Sequence, residues 1–372
     1  MVLPYLRQLV VLLLTVAVAV TSSAAAKPCL QPMSGQCGFS ERSAIDVCGQ
    51  RECSMLFGVG DGGCPAADPW SRACLSANDV GRVRWTPSRF DQVFGVTIPL
   101  LQDLQSQAPQ AVCNVFPANL PRTLLVNRTA PPFDNPELRR AMALSLDHQA
   151  FIDIITLGQG DVGGAMQPPP EGVWGMPRDM LRILPGYDPD VAKNRAQARG
   201  IMEKLGYGPD NRLAVKVSAH NIAPTRDPAV LLVGQLKEIY IDGELEMVDT
   251  TNWFPKVLRK DFTVGMVVSE NGLDDPDQNF YENYACGAAR NYGGYCNQEV
   301  DALIDRQSIE TDPEKRRLLV WEIERKLIED DVRPVLFHPR AAVCNQPWVK
   351  GMTQMVNGIY NGSRFEDVWL DK

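Results

Sequence analysis

The sequence predicts an α/β fold with a mixed sheet, and three observations carry that prediction. A small polar residue, a proline and an acid stand in a row ahead of a helical pattern three times, at Asn135-Pro136-Glu137, Asp188-Pro189-Asp190 and Asp312-Pro313-Glu314. Strand-like runs alternate with these helical patterns, which is the signature of layered α/β architecture. Residues 27–90 show neither period, so the pattern begins near residue 90.

Each helix start rests on the same physics. The Asn or Asp side chain accepts an otherwise unpaired amide hydrogen, a contribution of ~1 kcal/mol. Proline at the first helical position loses nothing, because its missing N–H has no partner there. The following acid faces the positive end of the helix dipole.

In chain order, the first helix is predicted over residues 136–146. Asp147 caps a second through "HQAFIDII", with Phe151, Ile154 and Ile155 as its apolar stripe. The next is predicted over residues 189–205, burying Val191, Ala198, Met202 and Leu205, with Gly206 as its stop. "DPAVLLVGQLKEIYI" reads as an amphipathic helix, and "GELEMVDT" and "FTVGMVVSE" read as strands around a short helix at "NWFPKVLRK". Two helices, "NQEVDALIDRQSIE" and "DPEKRRLLVWEIERKLIED", precede a buried-type strand "RPVLFH".

The chain has 372 residues, 45% of them hydrophobic and 22% charged, which is enough for a well-buried core and argues against wholesale disorder. The formal net charge is −8 and no Lys/Arg-rich run occurs, so no nucleic-acid partner is expected. At the N-terminus, Arg7 precedes an apolar run over residues 9–20, followed by "SSAAAK" with Ala24 and Ala26 at the −3 and −1 positions of a cut before Lys27. That is a secretory signal pattern. The run is shorter than the ~20 residues of a membrane span. Residues 1–26 are thus read as a signal peptide, and the rest as a soluble, periplasmic protein. Cys29 lacks the small-residue lead-in of a lipoprotein site.

Export permits disulfides. Of ten cysteines, six (Cys29, Cys37, Cys48, Cys53, Cys64, Cys74) crowd the N-terminal stretch. Cys286 and Cys296 bracket a glycine-rich loop and are expected to be bridged, and Cys113 and Cys344 are a candidate second pair. No C-x-x-C occurs and none of the three His stands near a cysteine pair, so no zinc, haem or other cofactor is expected. Residues 27–90, rich in Gly, Pro, Ser and Cys, read as either a small disulfide-stapled module or a segment that folds poorly, for instance one translated out of frame after a deletion.

Catalytic motifs fail in context. Gly58-Gly60-Gly63 and Gly158-Gly160-Gly163 match G-x-G-x-x-G, but "CPAADPW" and "AMQPPPEG" follow them and neither opens a helix at the motif. No G-x-S-x-G, H-E-x-x-H or phosphate-loop pattern is present. His148, His220 and His338 have no nearby nucleophile and read as structural. The acidic cluster Asp274, Asp275 and Asp277 lacks calcium-loop spacing. It reads as a solvated turn or as a ligand-facing loop at a strand end.

Four fragments, "LLVNRTAPPFDNPELRRAMALSLDHQAFID", "PGYDPDVAKNRAQARGIMEKLGYGPD", "DDPDQNFYENYACG…GGYCNQEVDALI" and "TDPEKRRLLVWEIERKLIEDDVRPVLFHPRAAV", occur in that order. Together they resemble the C-terminal part of family 5 extracellular solute-binding proteins, the dipeptide- and oligopeptide-binding receptors of ABC importers. The resemblance begins near "FDQVFGVTIPLLQDLQSQAPQ" and covers residues 91–372.

The resemblance implies a periplasmic-binding-protein-like two-lobed fold that closes on a small peptide or related solute and docks on an ABC permease, without enzymatic activity. In the family an Asp shortly before the Asp-Pro turn holds the ligand's amino group; here Asn271 or Gly272 stands there, so either Asp274 substitutes or the ligand lacks a free amine, and Asp275 is a further ligand-binding candidate. Trp253, Tyr281 and Tyr284 are candidate wall residues. Family members are longer at the N-terminal side, so the fold is expected to be incomplete there, with "RPVLFH" and "EDVWL" short of strand partners. The alternative function is a truncated, non-binding remnant; a secreted hydrolase ranks behind both.

Overall fold

The computed structural model describes residues 75–76, 91–269, 272–356 and 364–372. The signal pattern of residues 1–26, the six N-terminal cysteines, the motif Gly58-Gly60-Gly63 and Asn271 lie outside the described residues.

In chain order the elements are β1 (Leu75–Ser76), β2 (Gln92–Thr97), α1 (Ile98–Gln107), β3 (Val112–Pro117), β4 (Arg122–Val126), α2 (Pro136–Leu144), α3 (His148–Thr156), β5 (Gly160–Asp161), α4 (Arg178–Leu181) and α5 (Val191–Lys204). Then follow β6 (Leu213–His220), α6 (Ala223–Lys237), β7 (Ile241–Val248), α7 (Thr250–Leu258), β8 (Val264–Val268), α8 (Pro276–Asn283), α9 (Gln298–Ile309), α10 (Pro313–Glu329), β9 (Val335–Asn345), β10 (Val349–Lys350) and β11 (Trp369–Leu370).

Among the described residues nine strands join one mixed sheet, ordered β1-β2-β9-β4-β8-β6-β7, with β3 and β5 also paired to β9. β6 runs parallel to both β7 and β8, while β4 is antiparallel to β8 and to β9. β4, "RTLLV", is buried along its whole length, as a central strand covered on both faces must be. Leu124, Met142, Phe151, Val217, Leu232 and Phe337 belong to the main core, which packs α2, α3, α5 and α6 onto this sheet.

A second unit is built from β2, α1, β3 and the far half of β9, with its own core of Val93, Val96, Leu101, Leu104, Ala342 and Cys344. The chain passes between the two units at residues 117–121 and again within β9, where Ala118 donates its amide to the Pro339 carbonyl at 3.1 Å. Cys113 sits opposite Cys344 on paired strands and is bonded to it; Cys286 is bonded to Cys296.

The capping residues act as the sequence predicts at Asn135, Asp147 and Asp312, each accepting an amide hydrogen of its helix. Three readings need correction. The helix predicted from residue 189 starts at Val191, capped by Asp190, because the Asp188 carboxylate is spent on the Asp190 amide and on Lys193. The helix predicted from residue 227 starts at Ala223, with Pro224 in its first turn, and carries Pro228 inside it. "RPVLFH" does not lack partners: it opens an eleven-residue strand flanked by β2, β3, β4 and β5, and β11 pairs with β10.

Candidate functional site

Strand order reverses at β6. From β6 the chain goes through α6 to β7 on one side, then through α7 to β8 on the other side of β6. Ligands in open α/β sheets bind outside the carboxyl ends of strands at such a reversal. Those ends here are His220, Val248 and Val268, joined by the start of antiparallel β4 at Arg122. Arg122, buried, donates to the Pro224 and Leu120 carbonyls, and Ser269 donates its amide to Pro121.

The loop after β8 carries the acidic cluster, and the structure separates its members. Asp275 caps α8 by accepting the Asp277 amide at 2.9 Å, and Pro276 follows as the first helical residue. Both Asp275 oxygens also accept from Arg316, at 2.8 and 2.9 Å. Burial pushes this carboxyl up, but the Arg316 fork and the Asp277 amide outweigh it and leave the pKa below the ordinary value. Asp277 accepts from Gln307 and Ser308 of α9. The cluster is therefore a third helix start in which a small polar cap, a proline and an acid stand in a row, beside Asn135 and Asp312, and not a solvated turn.

Asp274 differs from both. Its carbonyl accepts the Trp174 indole N–H at 3.1 Å, while its half-buried carboxylate has no hydrogen-bond partner among the described residues. Burial, then the charge of Asp275, raise its pKa. A carboxylate left without a counter-charge and partly desolvated gains from pairing with a cationic group.

The predicted wall residues do not converge on this loop. Trp253 is 2% exposed in a core with Leu125, Val257, Phe262, Val267 and Tyr292, stacked on His220 at 5.9 Å. Tyr284 is 1% exposed and packs with Phe280. Tyr281 is exposed and donates its hydroxyl to Asp305. Phe254 and Leu273, which sequence reasoning passed over, are exposed apolar residues just beyond the ends of β7 and β8. Trp174 was also missed; its ring lies over the Arg316 guanidinium at 4.8 Å.

The three histidines are structural. His148 Nδ1 meets the Leu336 carbonyl at 3.0 Å, His338 Nε2 meets that of Gly164 at 2.9 Å, and His220 Nε2 meets Thr250 Oγ1 at 2.8 Å. Burial lowers the pKa of all three, to about 4 for His338. A small cavity of about 20 Å³ is lined by His148, Tyr187, Tyr284, Glu324, Asp331 and Arg333. Arg333 connects it to the strand end through Ser269 Oγ at 3.0 Å. Among the described residues no group of three or more His, Cys, Asp or Glu could hold a metal, and no helix is long and apolar enough to cross a membrane.

Known proteins share this fold. A family model, Bacterial extracellular solute-binding proteins, family 5 Middle, matches residues 90–291. A probable di/tripeptide-binding protein 5 of Pseudomonas aeruginosa is 22% identical over 67% of this chain and 46% of its own. The oligopeptide-binding protein OppA of Bacillus subtilis is 24% identical over 71% of this chain and 47% of its own. Among solved structures, Burkholderia pseudomallei OppA superposes with a TM-score of 0.68 at 18% identity, covering 80% of this chain and 57% of that one. The Helicobacter pylori ABC transporter-associated periplasmic binding protein DppA, in complex with the peptide STSA, gives 0.65 at 19% identity, covering 77% and 53%. The chain spans about half the length of the curated relatives it matches.

Proposed function

Because the chain belongs to family 5 of the bacterial extracellular solute-binding proteins, we propose that it is a peptide receptor that works outside the cytoplasm and delivers its ligand to an ABC permease. The observation that carries this reading is the family match over residues 90–291 together with relatives named for di/tripeptide and oligopeptide binding. Residues 1–26 direct export and are removed before Lys27, and residues 91–372 form the receptor portion.

Asp274 receives the ligand's amino group, taking the role that Asn271 and Gly272 cannot fill as a charge. Phe254 and Leu273 offer apolar surface for side chains. Asp275 holds the loop in place through Arg316 rather than touching ligand, and Trp253 and Tyr281 support the walls from behind. No step of chemistry on the ligand is involved; affinity for the closed state drives closure.

Calorimetry on the full exported chain with trialanine and N-acetyl-trialanine tests the proposal. Trialanine should bind, and the acetylated form should bind at least tenfold more weakly, as expected for loss of a charge-assisted contact of roughly 1.5–3 kcal/mol. A cooperatively folded protein that binds neither would be a non-binding remnant. Recovery of cleaved peptide would instead indicate a hydrolase.

A further inference from the structure

Residues 160–177 run over the surface of α10 and are tethered at three places. At one end, β5 pairs with β9 where the chain passes between the two units, Gly160 opposite Pro339 and Asp161 opposite His338. Arg340 of β9 reaches Asp161 and Glu171 there, at 3.2 and 3.0 Å. In the middle stands Glu324, fully buried in α10. Its Oε1 accepts the Met166 amide at 2.8 Å and its Oε2 the Met176 amide at 2.7 Å. Asn279 adds a bond to the Ala165 carbonyl at 2.8 Å. At the far end, Trp174 donates to the Asp274 carbonyl, and Trp321 donates to the carbonyls of Trp174 and Gly175 at 3.0 and 3.1 Å.

A carboxylate buried this way is a poor device for stability, because its desolvation rivals what its bonds return. What it does well is fix geometry: two acceptors of one rigid carboxylate set the separation and direction of two amides ten residues apart in sequence. Arg316 then couples the ends, since the guanidinium under the Trp174 ring is the one that holds Asp275.

We infer that residues 160–177 are a positioning strap, locked by Glu324, through which Trp174 sets the place of the Asp274 loop relative to β9. Glu324 and Trp174 are positioning residues; neither touches ligand. The geometric part stands by itself, and the consequence for affinity rests on the receptor reading above.

The test uses the full chain with Trp174→Phe, which keeps an aromatic ring beside Arg316 while removing the indole N–H together with its five-membered ring, and Glu324→Gln, which turns one acceptor into a donor facing an amide. Hydrogen exchange is read at the Leu273 amide, which is bonded to Gln278 Oε1 at 2.8 Å, and in β6 and β7 as internal controls. Exchange at Leu273 should rise about tenfold in both variants with β6 and β7 unchanged, as expected of a local opening. Trialanine affinity should fall about fivefold in Trp174→Phe, the scale of one lost hydrogen bond, at a thermal midpoint within about 2 °C of the parent. Exchange in Glu324→Gln confined to residues 164–176 would overturn the inference. So would a Leu273 amide unmoved in Trp174→Phe, which decides the matter if Glu324→Gln fails to fold. A parent protein that binds no trialanine sinks the receptor reading, while the exchange result still decides the strap.

Discussion

Arg316 grips both carboxylate oxygens of Asp275, and its Nη2 also reaches Asp277 Oδ1 at 3.3 Å. A planar guanidinium meeting a carboxylate along two parallel bonds fixes orientation as well as distance. The start of α8 is thus clamped to α10, and the neighbouring Asp274 carboxylate takes no part in the clamp.

This division of labour predicts opposite phenotypes for adjacent residues. Asp275→Ala removes a helix cap and a partly exposed ion pair, and should cost about 1–3 kcal/mol in urea unfolding. Asp274→Asn should leave unfolding unchanged within about 0.5 kcal/mol and weaken trialanine. Because the folded pKa of Asp275 is depressed, its contribution is present at neutral pH and disappears as pH falls through that value.

Asp274 should impose its own pH profile on binding. Its pKa lies above the ordinary Asp value, so a cationic ligand loses its partner at a higher pH than an exposed Asp would allow. Calorimetry at pH 7 and pH 5 should show weaker binding at the lower value in the parent and a flat profile in Asp274→Asn. Equal slopes in the two proteins would remove Asp274 from the site.

Glu324 bears on stability with the other sign. Burial pushes its carboxyl up to about 7 from 4.5, against the pull of the Met166, Met176 and Ala165 amides. The folded state then holds a proton that the unfolded chain releases, so stability falls as pH rises from about 4.5 to about 7 and is level above that. Glu324→Gln should flatten that part of the curve, measured as thermal midpoints between pH 4.5 and pH 8 relative to the parent.

Two glycines should respond in opposite directions to a single methyl group. A Cβ at Gly164 would lie 2.5 Å from Glu324 Oε1, so Gly164→Ala should cost about 1–3 kcal/mol. At Gly200, inside α5, a Cβ meets nothing within 4 Å, and Gly200→Ala should stabilise by roughly 0.5–1 kcal/mol. Urea midpoints of the two variants check both.

Local signals explain what could be read in advance. Asn135, Asp147 and Asp312 were legible as caps because a cap is written in four consecutive residues. Asp275-Pro276-Asp277 is the same device, but another acid precedes it and its helix, "PDQNFYEN", lacks a clear apolar stripe. β4 and β6 went unread as strands, since runs such as "RTLLV" show their burial only once neighbours on both sides are known. The continuation of β9 through Pro339 runs against the rule that proline belongs at sheet edges. It is tolerated because proline still offers its carbonyl, which Ala118 uses. The site depends most on distance: Glu324 meets Met166 and Met176 across 158 and 148 residues, and no local pattern encodes such a meeting. Gly163 and Gly164 carried a hint, because the chain there runs too close to His338 and Glu324 for a side chain.

Removing the disulfides should separate their roles. Cys113–Cys344 spans 231 residues and Cys286–Cys296 spans 10. Loop-closure entropy gives the longer link the larger effect, toward ~5 kcal/mol against about 2–3. Paired Cys→Ser variants compared by denaturant unfolding should rank in that order.

The position of β9 has a consequence for biogenesis. The strand on which β2, β3, β4 and β5 all depend comes after every one of them in the chain. A growing chain therefore cannot close this sheet until β9 has been made, however many of the earlier strands are already in place. Fragments ending before residue 335 should be digested by protease under conditions that spare the finished protein.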